Sequence, residues 1–491
     1  MKILRTSAAG EALAAVEPLA EAPAGSPSAS SGGGIELEVG GPAHELLGIG
    51  TSLTQASAHA LSTLGGDARA RVLDLAFGPD GAGFSMIRTH MGSCDFSTSS
   101  YCYAPEADPE LEGFSLQVDE ENGHLDLLRD ARDVLGASFR TIASPWTAPP
   151  WMKDTGAYHA PHERRGGRLL AEHHSTFARY TARYLRAMQD LGLPVWAVTP
   201  VNEPHGNQGT WESMEMSPDE QARYVAVLGA ELESQGLDAK ILIYDQNRTG
   251  MAEYADRIFP DPAAGPHAWG LAVHWYDSTV RVQEELIQAV RRAHPDRPVL
   301  QTEGCIDNIY SHGEERGPGA PTPWWRDDSW FWRKEATDWG HDWLPDPMPD
   351  HPPYEAAFRY ARDLVGGLAH GLSAWVDWNL VLDRRGGPNH VGNQCLAPIL
   401  VDGDEVYLTP LFSILRQVSS SVRPGARVHE VLGARPAGLW ALAVRNQDGA
   451  AVVHIFNEGD PVDARLSWGG STCCIHVPEA ALVSSHMPGT D

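Results

Sequence analysis

Basic residues are scarce in this 491-residue chain: 37 Lys and Arg stand against 65 Asp and Glu, a formal net charge of -28. Phosphate backbones and anionic membranes are therefore disfavoured partners, and a neutral substrate is easier to accommodate. No stretch approaches 18 uncharged apolar residues, so no membrane span is expected. The opening M-K-I-L-R-T-S-A-A-G-E-A-L has no apolar core before Glu11, which argues against a secretory signal. Cysteine is sparse: Cys94, Cys102, Cys305, Cys395, Cys473 and Cys474 form no CxxC pair and no zinc-like spacing. Reduced thiols in a cytoplasmic protein are the resulting expectation. No G-x-G-x-x-G follows the first strand candidate, which disfavours a doubly wound nucleotide-binding sheet. No H-x-H follows it either, which disfavours a metal-dependent barrel hydrolase.

What is present is strand–helix alternation. With 42% apolar and 21% charged residues the chain has the composition of a globular protein. After a Pro/Ser/Gly-rich stretch at 21–34, eight runs read as buried strands: 45–50, 84–88, 139–143, 195–199, 241–244, 271–274, 298–302 and 373–378. Helical periodicity lies between them, as at 168–191, 219–235, 280–292 and 353–370. Eight repeats predict an α/β fold, a parallel (β/α)8 barrel. Beyond about residue 420, short runs at 427–432, 439–445, 452–456 and 464–468 predict an appended β-sandwich. The domains expected are 1–44, strands joining the sandwich; 45–420, the catalytic barrel; and 421–491, the C-terminal sandwich. A Trp-rich segment, 311–353, fits neither domain and has three readings: an outer sugar subsite, a folded lid, or a contact between copies in a homo-oligomer.

Two carboxylates stand just past strand candidates about 100 residues apart: Glu203 in V-T-P-V-N-E-P and Glu303 in L-Q-T-E-G-C. Barrel active sites form at the C-terminal strand ends, so the two could face each other across a sugar. Glycoside hydrolysis needs such a pair, about 5–5.5 Å apart for retention and about 6.5–9.5 Å for inversion. The bland alternatives are a helix-start Glu at 203 and, at 303, a buried Glu paired with Arg88 or Arg248.

Several longer runs carry a resemblance: G-F-S-M-I-R-T-H-M-G-S-C-D-F-S-T-S-S-Y-C-Y-A (83–104), A-S-P-W-T-A-P-P-W-M-K-D-T-G (143–156), P-V-W-A-V-T-P-V-N-E-P (194–204), G-L-A-V-H-W-Y (270–276), T-E-G-C (302–305) and V-D-W-N-L-V-L-D-R-R-G-G-P-N-H-V-G-N (376–393). From about 45 to 420 the chain resembles glycoside hydrolase family 30, and most closely its glucosylceramidase branch. The resemblance implies that Glu203 is an acid/base and Glu303 a nucleophile, on strands four and seven. It implies that Asn202 bonds the sugar 2-hydroxyl, and that Asp95, Trp146 and Trp378 line the sugar pocket with Asn393 at its edge. Arg88, His274 and Tyr276 become polar supports of the nucleophile. Read without it, His274 is a satisfied core histidine, Trp146 and Trp378 are barrel core, Arg88 is structural, and Cys94 and Cys305 are buried, inert thiols.

The chain departs from the family pattern at Gln55, where the family has Asp, and at His90, where animal glucosylceramidases have Pro. The Trp-rich segment differs as well. These differences bear on the sugar and aglycone, not on bond cleavage. The reading is a retaining β-glycosidase acting by double displacement, with no metal or organic cofactor. Its expected partner is a small β-glucoside or oligosaccharide. The alternatives are the same mechanism on β-fucosides or β-xylosides, and a non-catalytic carbohydrate-binding protein.

Overall fold

The computed structural model describes residues 1–19, 34–159, 167–206, 209–306, 355–383, 386–393 and 395–487. The Trp-rich segment 311–353 lies outside them. Eight parallel strands close into a barrel: Gly48–Ser52, Met86–His90, Thr141–Ser144, Val195–Val198, Lys240–Asn247, Ala268–His274, Val299–Glu303 and Leu372–Asp377, the last bonded to the first. The expected (β/α)8 barrel is borne out.

The strands read as nearly unbroken apolar runs because both of their faces are buried. Strand side chains alternate with period two, and this builds the site. Met86, Ile142, Ala197, Leu242, Ala272, Leu300, Ala374 and Val376 fill the barrel interior as one apolar cluster. Their neighbours Ile87, Ala143, Val198, Ile243, Val273 and Trp375 turn outward into the core shared with the helices. Two residues beyond five of the interior positions stand Arg88, Ser144, Thr199, His274 and Thr302, all buried. The barrel is thus apolar through its lower interior and capped by a polar layer at the C-terminal strand ends.

The helices His174–Asp190, Pro218–Ser234, Glu284–Ala293 and Glu355–Ala369 occupy the four predicted helical stretches. Pro218–Ser234 starts where it does because Ser217 and Glu220 cap each other reciprocally and Pro218 is pre-set for the first turn. Among the described residues no helix is long and apolar enough to cross a membrane.

The appended β-domain is a nine-stranded sheet in which Lys2–Ser7, Ala14–Val16 and Ile35–Glu45 join six C-terminal strands. Strand Ala451–Asn457 is buried on both faces. Val453 and Ile455 enter the sheet's own core, whereas Val452 and Phe456 pack into the barrel-side core. That alternation joins the two domains. Two strand predictions need correction. The predicted run 45–50 is two strands: Glu45 ends a strand of the nine-stranded sheet, and Gly48 opens the barrel, with Leu46 and Leu47 as the corner. Hydrophobicity does not register the turn because Leu46 is fully buried there. The strands Ser471–Val477 and Ala481–Met487 were not predicted. Ser, Cys and His dilute their β-branched signal.

Candidate active site

Glu303 is the last residue of its barrel strand, and the ladder to Ala268–His274 shifts register beside it. Glu203 lies past the strand Val195–Val198 in a left-handed backbone conformation, φ +50°. Such a conformation is strained for a residue with a Cβ. It is held by the Glu203 amide donating to the Asp245 carbonyl at 2.9 Å. One oxygen of each carboxylate and a His274 ring nitrogen lie within 4.8 Å of one another. The two carboxylates therefore face each other at close range, as a catalytic carboxylate pair must. The Glu203 side chain is 16% exposed and that of Glu303 7%, so Glu203 is the more open to solvent.

Arg88, wholly buried, decides between the readings of Glu303. Its Nη1 donates to Glu303 Oε2 at 2.5 Å, and its Nη2 donates to Asn202 Oδ1 at 2.7 Å and Asp245 Oδ2 at 3.0 Å. Arg248, the other candidate partner, pairs instead with Asp363 and Gln301. Tyr276 Oη donates to Glu303 Oε1 at 2.9 Å. Burial leaves the Glu303 carboxyl above its ordinary range, and His274 and Arg88 offset only part of that rise. Burial opposes the Arg88 charge, but Asp245 and Glu303 raise its pKa further above the ordinary arginine value. A guanidinium held this firmly supplies a fixed positive charge against the Glu303 carboxylate.

His274 sits between both glutamates. Its Nδ1 is 3.4 Å from Glu203 Oε1 and 3.9 Å from Glu303 Oε1, and its Nε2 is 3.0 Å from Asp245 Oδ1. Burial opposes its charge, but Glu303, Asp245 and Glu203 together raise its pKa to about 9. The ring is therefore an imidazolium near neutral pH and donates from both nitrogens. Its raised folded pKa, against an ordinary 6.5, gives stability that is complete below about pH 6.5 and lost as pH rises through 9. The stability difference between wild type and His274→Gln, from denaturant unfolding at pH 6 and pH 10, should shrink by about 3 kcal/mol. A constant difference would contradict the charged imidazole.

Trp146 and Trp378 are each 2% exposed and stack on one another, centroids 5.2 Å apart at 25°. Arg88 lies over both rings, 5.0 Å and 5.3 Å from their centroids. They therefore belong to the buried core and at the same time border the nucleophile's partner. Asp95 is part-buried, its Oδ2 accepting from Asn393 Nδ2 at 3.0 Å and its Oδ1 without a hydrogen-bond partner among the described residues. Burial and the charge of Glu303 push its carboxyl well above the usual range.

Gln55 and His90 turn out to support the loop that carries Asp95. Gln55 bonds Thr98 twice, Nε2 to Oγ1 at 2.8 Å and Oε1 from the amide at 2.7 Å. The Gln55 amide donates to His90 Nε2 at 3.0 Å, so the His90 proton is on Nδ1, donating to the Gly92 carbonyl at 2.6 Å. Burial keeps His90 neutral, its pKa lowered to about 3.

Sequence reasoning missed Asp245. Wholly buried, it accepts from Arg88, Ser144 Oγ, Thr199 Oγ1, His274 and Thr302 Oγ1 at 2.7–3.0 Å. Burial opposes its charge, yet Arg88 and His274 hold its carboxyl well below the usual range. It and Tyr244 have φ of +71° and +74°, at a register shift in the ladder. Glu203, His274 and Glu303 are also, among the described residues, the one group of His, Cys, Asp or Glu spaced to hold a metal ion. Arg88 already occupies Glu303, and an imidazolium offers no lone pair, so the trio suits a cation poorly.

The sequence model of the glycosyl hydrolase family 30 TIM-barrel domain matches residues 46–315 and 337–422. The lysosomal acid glucosylceramidase of Mus musculus is 27% identical over 419 residues, 84% of this chain and 74% of that protein. An endo-1,6-β-D-glucanase of Aspergillus fumigatus is 25% identical over 459 residues, 88% of this chain and 83% of that protein. Among solved structures, SrfJ from Salmonella typhimurium superposes with a TM-score of 0.81 at 24% identity, covering 100% of this chain and 99% of that one. An endo-β1,6-glucanase superposes at 0.78 with 23% identity, covering 98% of each chain. At these identities the structural likeness speaks to the fold.

Proposed function

The chain belongs to glycosyl hydrolase family 30 and is a retaining O-glycosyl hydrolase of β-glycosidic bonds, and from that premise we propose that Glu303 is its nucleophile and Glu203 its acid/base. The observation that carries the assignment is the asymmetry of the two carboxylates. Glu303 is gripped by Arg88 and Tyr276, which suits a group that must stay ionised. Glu203 is the more exposed and, among the described side chains, meets only the distant imidazole, which suits a group that must exchange protons.

In the first step a Glu303 oxygen attacks the anomeric carbon as the bond to the leaving oxygen breaks, and the Glu203 proton passes to that oxygen. In the second, Glu203 takes a proton from water, whose oxygen displaces Glu303 from the sugar. His274 has a consistent part in both. When Glu303 is spent as an ester its charge is gone, and the Nδ1 proton of the imidazolium is left facing Glu203 as the base. Asn202 has its Oδ1 committed to Arg88, which leaves its amide N–H groups for the sugar 2-hydroxyl. The unpartnered Oδ1 of Asp95 can accept from sugar hydroxyls, with Asn393 holding the carboxyl in place.

The sugar we propose is a β-linked glucosyl unit on a small glycoside or oligosaccharide. The relatives named above, a glucosylceramidase and endo-1,6-β-glucanases, support it. We also propose a cytoplasmic setting, in which thiols are kept reduced. Among p-nitrophenyl β-glycosides, kcat/KM for the glucoside should exceed that for the xyloside by about tenfold or more, because the xyloside lacks a hydroxyl and leaves a buried acceptor unmatched. Cleavage of only the fucoside or xyloside would overturn the glucosyl assignment and leave the two glutamates in place.

A further inference from the structure

Cys305 stands two residues past Glu303, and Cys395 lies on the segment that follows the last barrel strand. Ile306 and Leu396, one residue beyond each cysteine, form an antiparallel bridge, with the Leu396 amide donating to the Ile306 carbonyl at 2.9 Å. The bridge brings the two sulfurs to 2.9 Å. Ordinary packing leaves non-bonded heavy atoms at about 3.5–4.0 Å. A disulfide is about 2.05 Å long, so the sulfurs need to close by only about 0.9 Å. Both thiols are buried, 1% and 5% exposed, in the apolar cluster that also holds Trp146 and Trp378. The mechanism above uses neither of them.

We propose that Cys305 and Cys395 form a redox-active dithiol that closes to a disulfide behind the nucleophile and reversibly lowers turnover. The oxidant is a peroxide. One thiol gives up its proton and its sulfur attacks a peroxide oxygen, the O–O bond breaks, the leaving hydroxide takes that proton to become water, and a sulfenic acid remains. The second thiol then attacks that sulfur, forming the S–S bond and releasing a second water. Two sulfurs supply the two electrons that reduce one peroxide to two waters. The link to activity is local. Tyr276 Oη lies 3.6 Å from Cys305 Sγ while it donates to Glu303 Oε1, and the Cys305 carbonyl accepts from Trp275 Nε1 at 3.0 Å. Drawing Cys305 toward Cys395 shifts the chain just past Glu303 and disturbs the hydroxyl that holds its carboxylate. Displacements near 1 Å at a reacting group can cost about a hundredfold in rate.

The test treats the whole protein with hydrogen peroxide, maps peptides without reduction, and follows turnover of whichever β-glycoside the panel identifies. The expected result is a peptide pair joined through Cys305 and Cys395, lighter by two hydrogens, with kcat down about tenfold or more and restored by dithiothreitol. Cys395→Ser should form no link and keep its turnover under the same peroxide. Absence of the linked pair in wild type overturns the proposal, as does a linked pair with unchanged kcat, or equal loss of activity in Cys395→Ser. The peptide link is read without any assay of activity, so it is independent of the sugar assigned above.

Discussion

Glu303→Ala is expected to lower kcat on a β-glucoside by on the order of ten-thousand-fold or more, as loss of a nucleophile does. Without that carboxylate no covalent intermediate forms, and no other described carboxylate is placed to replace it. Glu203 is the only other one in the close cluster, and it is needed for the proton. Glu203→Ala should behave differently. With an activated p-nitrophenyl leaving group the first step hardly needs an acid, but the second still needs a base, so the intermediate accumulates and kcat and KM fall together. Added azide separates the two roles by product stereochemistry. In Glu303→Ala it occupies the vacated space and yields an α-glycosyl azide. In Glu203→Ala it attacks the glycosyl-enzyme and yields a β-glycosyl azide. Opposite stereochemistry in the two variants would exchange the roles, and unchanged turnover in both would end the mechanism.

Asp245→Ala is expected to have the second-largest effect, although Asp245 is not placed to touch the sugar. It is the acceptor for Arg88, His274 and three hydroxyls, all buried. Its removal leaves two buried cations with one partner fewer each, and breaking a buried pair in this way costs roughly 3–5 kcal/mol. The cost should appear as a lowered denaturation midpoint. Because Arg88 and His274 are also the contacts of Glu303 and Glu203, kcat should fall by about a hundredfold even at temperatures where the variant is folded. Asp245→Asn keeps the shape and removes the charge, and should recover part of the stability. Wild-type kcat in a folded Asp245→Ala protein would contradict its positioning role.

The two glutamates were legible because each ends an apolar run with a single carboxylate, and a barrel turns such strand ends into one rim. Arg88 and Arg248 were not separable by residue type. Strand register separates them: Arg88 is two positions beyond Met86 on the inward face, whereas Arg248 lies past the end of its strand and reaches Asp363 on a surrounding helix. Asp245 was illegible for a related reason. I-L-I-Y-D-Q-N reads as a strand running into a polar loop, and only the left-handed backbone at Tyr244 and Asp245 turns that carboxylate inward. Neither residue is a glycine, so nothing in the sequence advertises the bend. Gln55 and His90 were visible as departures from the family pattern, but their role in bracing the loop of Asp95 depends on which atoms meet. The corner at Leu46 and Leu47 was hidden because burial continues through it.

Double displacement requires Glu303 to become covalently bound to the sugar. The most direct measurement is the mass of peptides from enzyme trapped with a 2-deoxy-2-fluoro-β-glucoside that carries a good leaving group, since the fluorine slows both steps and the leaving group restores only the first. One fluoroglucosyl adduct is expected, on the peptide containing Glu303. An adduct on a peptide that holds a different carboxylate, or none under conditions where the reagent inactivates the enzyme, would contradict it.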